Sequence, residues 1–131
     1  MEWDDWTTRL KSALGADATI RLRELFAPGG AFTDPVTSAT TDIKSVEDVT
    51  DASFPDWTQD VTAAYGNARG GAFEWVGRGT LGADTVIEIH GCTMVELDSE
   101  GLVTRWRDYF DLKEVEKQMG ASIEDYQSTD S

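Results

Sequence analysis

The sequence predicts an α+β domain built on a mostly antiparallel sheet. Apolar residues recur at helical spacing near the start of the chain, and alternating apolar and polar residues fill the region after residue 57. Glycine- and aspartate-containing turns separate the alternating segments, as in hairpin-linked strands. Helices followed by a run of such strands are typical of the α+β class.

The helical signals lie mainly between Glu2 and Phe26. A first helix is interrupted at Gly15-Ala16-Asp17, and Asp17 is placed to cap a second helix that Pro28-Gly29-Gly30 would end. Two shorter helices are also predicted. They are Ser45 to Val49, whose Ser45-x-x-Asp48 start resembles a capping box, and Leu112 to Met119.

The strand signals come from period-two alternation between turn residues. A short extended piece is expected before them, because Asp34 precedes a proline and is disfavoured in helical geometry. The predicted extended segments are Ala31 to Pro35, Thr58 to Tyr65, Ala72 to Thr80, Thr85 to Leu97 and Leu102 to Asp111.

Length and composition limit the function classes. With 131 residues we expect one domain, at 1–121, and a loose polar tail at 122–131. A formal net charge of -14 disfavours nucleic acid and anionic membranes as partners. One cysteine and one histidine argue against a disulfide, a metal site and any metal cofactor, and no cofactor of another kind is expected. With no apolar run of about 18 residues and no signal pattern, a cytoplasmic location is the default expectation.

Alternation separates the two faces of the last strand. Thr104, Trp106, Asp108 and Phe110 share one face, while Val103, Arg105, Arg107 and Tyr109 share the other. The aromatic face should be the inner one, which would leave a carboxylate between buried rings. Such a group is paired, neutral or functional. We predict a pocket role for Asp108, with a buried ion pair to Arg78 as the alternative.

A second carboxylate, Asp34, lies beside Phe32. Two carboxylates near apolar walls suit acid–base chemistry, because burial can move their pKa values apart. The alternative for Asp34 is a turn residue, since aspartate before proline is common in turns. His90 is predicted to lie outside the pocket, on the face of its strand opposite Ile87 and Ile89.

The order of elements and the string from Leu25-Phe26-Ala27 to Phe32-Thr33-Asp34-Pro35 resemble the nuclear transport factor 2-like superfamily. The resemblance covers residues 6–120. It implies a curved sheet wrapped by N-terminal helices into a cone with an internal pocket. The superfamily includes ketosteroid isomerase, SnoaL-type polyketide cyclases, limonene-1,2-epoxide hydrolase and non-catalytic members.

Two local matches suggest catalytic roles. The string Trp106-Arg107-Asp108-Tyr109-Phe110-Asp111-Leu112 is similar to the last strand of limonene-1,2-epoxide hydrolase, where the aspartate matching Asp108 is catalytic. Thr33-Asp34-Pro35-Val36 resembles the string that holds the general base of ketosteroid isomerase. The resemblance therefore implies that Asp34 and Asp108 are the catalytic residues.

The sequence also departs from both patterns. The earlier strand Phe73-Glu74-Trp75-Val76-Gly77-Arg78 lacks the Arg-x-Asp of the hydrolase, and Leu10 and Thr93 stand where the isomerase has its oxyanion-hole acids. Glu74 and Arg78 share a face and could replace the missing charged pair, or form a solvated surface pair. The predicted substrate-binding set is Phe32, Trp106, Phe110, Thr93, Leu10, Glu74 and Arg78.

Two function classes remain open at this point. The first is a cofactor-free enzyme that uses carboxylates for epoxide hydrolysis, isomerisation, dehydration or cyclisation of a small apolar molecule. The second is a non-catalytic binding or assembly protein of the same fold, since one fold can host both. A homodimer is expected through the outer sheet face, with contributions from Glu88, His90, Met94, Arg105 and Tyr109.

Overall fold

The computed structural model describes residues 1–120, and the predicted loose tail at 122–131 lies outside the described residues. The chain forms three helices, a 3₁₀ turn at Leu22–Leu25 and one five-stranded sheet. The helices are α1 (Trp3–Leu14), α2 (Ile43–Ser53) and α3 (Leu112–Met119). The strands are β1 (Phe26–Thr33), β2 (Thr58–Asn67), β3 (Gly70–Leu81), β4 (Thr85–Leu97) and β5 (Val103–Phe110).

The sheet is mixed, curved and unclosed, with strand order β1-β5-β4-β3-β2. Its three pairs among β2 to β5 are antiparallel, whereas β1 runs parallel to β5. The predicted α+β class with a mostly antiparallel sheet is confirmed. The parallel pair joins the first strand to the last, so both ends of the sheet-forming chain meet at one edge.

A run of aromatic rings connects α1 to this edge through the core. Trp3 stacks on Trp6 at 5.1 Å between ring centroids, Trp6 meets Phe73 at 6.2 Å, and Phe73 meets Trp106 edge-on at 5.5 Å. Phe26 of β1 lies 5.7 Å from the same Trp106 ring. These rings therefore fix the helix, the middle of the sheet and the β1–β5 edge as one packed core.

The second predicted helix, capped by Asp17, does not form. Only the four-residue 3₁₀ turn occupies that region, and β1 begins at Phe26 rather than Ala31. Pro28-Gly29-Gly30 therefore lies inside a strand and does not end a helix. Between the pairs Phe26–Val103 and Ala31–Arg105, β1 uses more residues than β5, and Gly29 takes a φ of 78°. An edge strand accommodates proline and a bulge because its outer N–H groups need no ladder partner.

A second bulge changes the faces of β5. Glu96 pairs with Arg105 and Leu97 pairs with Val103, which leaves Thr104 as an extra residue. Val103 is fully buried and Thr104 is exposed, so the predicted faces of these two residues are wrong. Strict alternation holds only beyond the bulge.

The second helix of the structure also starts earlier than predicted. Asp42, not Ser45, caps α2, because its side chain accepts a hydrogen bond from the Ser45 amide at 3.1 Å. The helix continues to Ser53, past the predicted end at Val49. In the part of the chain that the structure describes, no helix has the length and apolar character needed to cross a bilayer.

One buried acid attaches α2 to the 3₁₀ turn. Glu47 is only 9% exposed, and its carboxylate accepts from the backbone amides of Leu22 and Arg23 at 3.0 and 2.9 Å. The guanidinium Nε of Arg23 lies 2.7 Å from one oxygen, and that of Arg21 lies 3.2 Å from the other. This single side chain therefore accepts three hydrogen bonds and pairs with Arg21, and it holds α2 against the segment that leads into β1.

We expect Glu47→Gln to destabilise the protein by about 2–3 kcal/mol, since an amide turns its own N–H₂ toward donors that a carboxylate would satisfy. The free energy of unfolding in urea measures this loss. The matched control is Glu100→Gln in the exposed turn before β5, which should change stability by less than about 0.5 kcal/mol. Equal effects of the two substitutions would contradict this role of Glu47.

Candidate active site

A cavity of about 1120 Å³ opens between the inner face of the sheet and the helical side of the molecule. It is large enough for a drug-sized organic molecule. Residues of the sheet, of α2 and α3, and of the loop after α1 line it. Its aromatic lining consists of Phe32, Phe54, Trp57, Trp75, Trp106 and Phe110. The walls are therefore suited to an apolar or aromatic ligand.

The parallel pairing of β1 with β5 brings the two predicted catalytic carboxylates together. Phe32 pairs with Trp106 and Thr33 pairs with Arg107. Asp34 and Asp108 follow directly after these pairs, so they lie opposite each other. Both lie two residues beyond a buried aromatic on the inner face, and side chains alternate with a period of two. Neighbouring strands are about 4.8 Å apart, which makes the two residues close neighbours. Both line the cavity.

Asp108 is held by uncharged donors. The Thr93 hydroxyl donates to its Oδ1 at 2.5 Å, and the Trp106 indole N–H donates to the same oxygen at 2.8 Å. Thr93 is fully buried, and its hydroxyl accepts in turn from the Trp75 indole N–H at 2.8 Å. Asp108 itself is half-buried and borders the cavity.

These surroundings raise the pKa of Asp108 to about 7. Loss of hydration is the main cause, because the apolar walls disfavour the charged form. The hydrogen bonds from Thr93 and Trp106 act in the opposite direction, and the negative charge of Asp34 raises the pKa further. Near neutral pH the group is therefore present both as an acid and as a carboxylate, as a proton-transfer catalyst requires.

Among residues 1–120, no cation pairs with Asp108. The basic residue in the cavity lining is Arg21, which is engaged by Asp51 at 2.7 Å and by Glu47. Arg78 lies on the outer face, where it contacts Asp60 at 3.2 Å and Glu88 at 2.9 Å. The alternative of a buried ion pair between Asp108 and Arg78 is therefore excluded.

Asp34 has a structural role in addition to its position at the cavity. Its Oδ1 accepts from the amides of Val36 and Thr37 at 2.8 and 2.6 Å, which closes an Asx-type turn over Pro35. One carboxylate oxygen of Asp34 therefore has the turn-stabilising role that was the alternative prediction for this residue. The cavity lining still includes Asp34, so both interpretations of this residue apply together.

The structure divides the predicted substrate-binding residues into two groups. Phe32, Trp106 and Phe110 line the cavity. Glu74 and Arg78 point outward from β3 and do not belong to the lining, and Leu10 is fully buried in the core on α1. Thr93 lies beneath Asp108 and contacts the carboxylate rather than open space. His90 is exposed on the outer face of β4, as its position in the alternation predicts.

Trp57 and Trp75 are cavity residues that sequence reasoning did not include in the site. A Cβ built on Gly91 would lie 2.3 Å from the Trp75 ring, and one on Gly77 would lie 2.4 Å from the Trp57 ring. The rings thus occupy space that only glycine leaves free above the strands. The sequence signal was a glycine within each of two strand patterns. Such a glycine indicates that another group packs closely against the strand, but it does not identify that group.

Several solved structures share this fold. A protein with a ketosteroid isomerase-like fold from Catenulispora acidiphila, in complex with trimethylamine, is 26% identical over 89% of this chain and 93% of its own, with a TM-score of 0.75. A SnoaL-like polyketide-cyclase-type protein from Jannaschia is 17% identical over 90% and 91% of the two chains, with a TM-score of 0.74. An LEH-like epoxide hydrolase from Mycobacterium tuberculosis is 14% identical over 87% and 86%, with a TM-score of 0.69.

No protein-family model and no curated protein matches the sequence. The solved structures nevertheless confirm the resemblance to a superfamily fold that the sequence shows. The chain has the fold of the nuclear transport factor 2-like superfamily, a conical α+β pocket domain.

The raised pKa of Asp108 predicts a specific pH dependence of stability. The folded state holds this proton up to about pH 7 and the unfolded state only up to about pH 3.9, so stability is lost as pH rises between those values. Asp108→Asn removes the loss. We expect the variant to gain on the order of 2 kcal/mol relative to wild type between pH 5 and pH 8.

Urea unfolding at the two pH values measures this gain. Asp84→Asn is the matched control, because it removes a carboxylate from the exposed turn between β3 and β4. A stability difference between Asp108→Asn and wild type that stays the same at pH 5 and pH 8 would show that Asp108 is not protonated in the folded protein.

Proposed function

We propose that this protein is a cofactor-independent enzyme that binds a small, largely apolar molecule and transforms it by carboxylate acid–base chemistry. The observation that carries the proposal is Asp108, a carboxyl with a pKa near 7 in an aromatic cavity, with which no cation of residues 1–120 forms an ion pair. Burial of this kind is destabilising, and groups with such shifts concentrate at functional sites.

The proposed mechanism assigns Asp108 the proton transfers and Asp34 an electrostatic role at the cavity. When protonated, Asp108 donates to a substrate atom that gains negative charge. When ionised, it takes a proton from carbon or from water. The negative charge of Asp34 keeps both forms of Asp108 accessible near neutral pH, because it opposes ionisation of its neighbour.

The missing guanidinium favours some reactions over others. Epoxide hydrolysis in the hydrolase pattern uses an aspartate–arginine–aspartate relay, whereas no arginine among residues 1–120 forms an ion pair or hydrogen bond with Asp108. Isomerisation or cyclisation of a carbonyl compound needs a base and a donor to the carbonyl oxygen. Leu10 and Thr93 stand where ketosteroid isomerase has its donors, so protonated Asp108 would itself be the donor here. We therefore favour isomerase-like or cyclase-like chemistry over epoxide hydrolysis.

A panel of ketosteroids, aromatic polyketide-like ketones and epoxides tests the proposal. A ligand that binds the cavity should raise the melting temperature, and turnover is then assayed for each stabilising compound. Asp108→Asn should lower kcat by about 10²–10⁴-fold while the protein stays folded. The pH–rate profile of the wild type should have an inflection near pH 7.

Asp34→Asn provides a second variant, since the amide oxygen can still accept from Val36 and Thr37 and keep the turn. It should move the inflection of Asp108 to lower pH, because the neighbouring negative charge is gone. Asp84→Asn should change neither rate nor profile. If stabilising ligands are found, none is turned over, and Asp108→Asn leaves their affinity intact, a non-catalytic ligand-binding protein is the correct conclusion.

We also propose that two copies associate through the outer face of the sheet. Tyr65, Met94 and Tyr109 are 77%, 42% and 50% exposed there, and Arg107 has a buried Nε without a hydrogen-bond partner. Tyr65, Ala72, Met94 and Arg107 form one row across β2, β3, β4 and β5.

The charges on this face fit a second copy of the same surface. Arg78 with Glu88 and Arg105 with Glu96 place opposite charges side by side, so they can exchange partners across a two-fold axis. The interface would therefore combine an apolar centre with a polar rim, as in other homodimers.

Light scattering at micromolar concentration should give the mass of a dimer, and added salt should favour association by screening the net charge of -14. Met94→Glu should give a monomer, because it places a further negative charge in the apolar centre. The control Val49→Glu adds the same charge on α2, at a residue 65% exposed, and should leave the mass unchanged. A monomeric wild type at high salt would contradict the proposal.

A further inference from the structure

The hydrogen bonds around Asp108 have a direction that the donor chemistry fixes. An indole N–H can only donate, so the Thr93 hydroxyl oxygen accepts from Trp75. Thr93 has one proton of its own, and it is left for Oδ1 of Asp108. The Trp106 indole donates to the same oxygen. In this arrangement Oδ1 is therefore the acceptor of two hydrogen bonds.

Two incoming donors decide which oxygen holds the acid proton. The carbonyl oxygen of a carboxylic acid has two available lone pairs, whereas its hydroxyl oxygen is a poor acceptor and carries a hydrogen of its own. Oδ1 thus fits the carbonyl role and Oδ2 the hydroxyl role. No donor among residues 1–120 bonds to Oδ2, and this atom is not among their buried polar atoms that lack a partner. It therefore opens onto the cavity that Asp108 lines.

We propose that Thr93, itself held by Trp75, is a positioning residue that directs the acid proton of Asp108 to Oδ2, toward an oxygen atom of the substrate. The proposal rests on the catalytic role proposed above for Asp108 and adds the substrate class. The molecule must present an oxygen acceptor, such as a carbonyl, hydroxyl or epoxide oxygen, at the Oδ2 side of the cavity.

The proton transfer balances within this arrangement. The O–H bond at Oδ2 breaks, a new O–H bond forms to the substrate oxygen, and the electron pair stays on the carboxylate. Delocalisation spreads that charge to Oδ1, where Thr93 and Trp106 already donate. Asp108 regains a proton from a carbon acid of the substrate or from water. The same two donors thus orient the acid and stabilise the base that it becomes.

Infrared and NMR spectroscopy test the proton's position without a substrate. Protein carrying ¹³C-labelled aspartate is compared with Asp108→Asn, so that the difference isolates the Asp108 carboxyl group. At pH 5 the carbonyl stretch of protonated Asp108 should move to higher wavenumber in Thr93→Val, because its carbonyl oxygen loses one of two hydrogen bonds. The ¹³C titration midpoint should rise by about one pH unit, since the ionised form loses a donor.

Thr93→Ser is the matched variant, because it keeps the hydroxyl, and it should restore both the stretch and the midpoint. If Thr93→Val does not fold, Trp106→Phe removes the other donor to Oδ1 and should raise the stretch in the same way. An unchanged stretch in Thr93→Val would overturn the proposal, since it would place the proton on Oδ1 and the free carbonyl at the cavity.

The two proposals fail separately. If the stretch does not respond while Asp108→Asn abolishes turnover, Thr93 has no positioning role and the proposed function stands. If the stretch responds as expected but no oxygen-bearing compound is turned over, the proton is positioned as described and the enzyme proposal fails.

Discussion

The protein holds a carboxyl group in an aromatic cavity and stabilises its charge with two neutral donors instead of a cation. Thr93 and Trp106 offset only part of the lost hydration, so Asp108 keeps a pKa near 7. An arginine in the same place would have fixed the charge and lowered the pKa. Because the donors are neutral, both the protonated and the ionised form of Asp108 are populated near neutral pH. The proposed acid–base chemistry depends on this.

The backbone contributes to this site as much as the side chains do. Gly77 and Gly91 leave the inner sheet surface low enough for the rings of Trp57 and Trp75 to lie against it. Trp75 in that position reaches the Thr93 hydroxyl, which reaches Asp108. A strand position without a side chain thus determines, through two hydrogen bonds, how a carboxyl on another strand is oriented.

Sequence reasoning reached the fold class, the strands β2 to β5 and the two carboxylates, because alternation and turn glycines are local signals. It failed where the deciding contact is distant in sequence. The bulge at Thr104 depends on pairing with β4, and Pro28-Gly29-Gly30 fits a strand only because that strand lies at a sheet edge. From the sequence alone Glu47 looks like an ordinary helix residue, since its three hydrogen-bond donors and its ion-pair partner Arg21 all come from residues 21–23.

The site residues show the same limit. Asp108 could be placed on the inner face from its aromatic neighbours alone. Thr93 carried no signal for its role, because its partners Trp75 and Asp108 are 18 and 15 residues away. Glu74 and Arg78 were predicted to bind substrate because of their charges. The observed pairing of β3 with β2 and β4 shows that they face outward.

The parallel contact between β1 and β5 also affects how the chain folds. About 70 residues separate the two strands, so this pairing closes the longest loop in the sheet and contributes strongly to contact order. During synthesis, Asp34 leaves the ribosome long before Asp108 does. The hairpins of β2 to β4 can form in the interval, but the cavity edge must wait for β5. In the unfolded chain Asp108 is in water and ionised at neutral pH, so closing this edge is coupled to partial uptake of a proton.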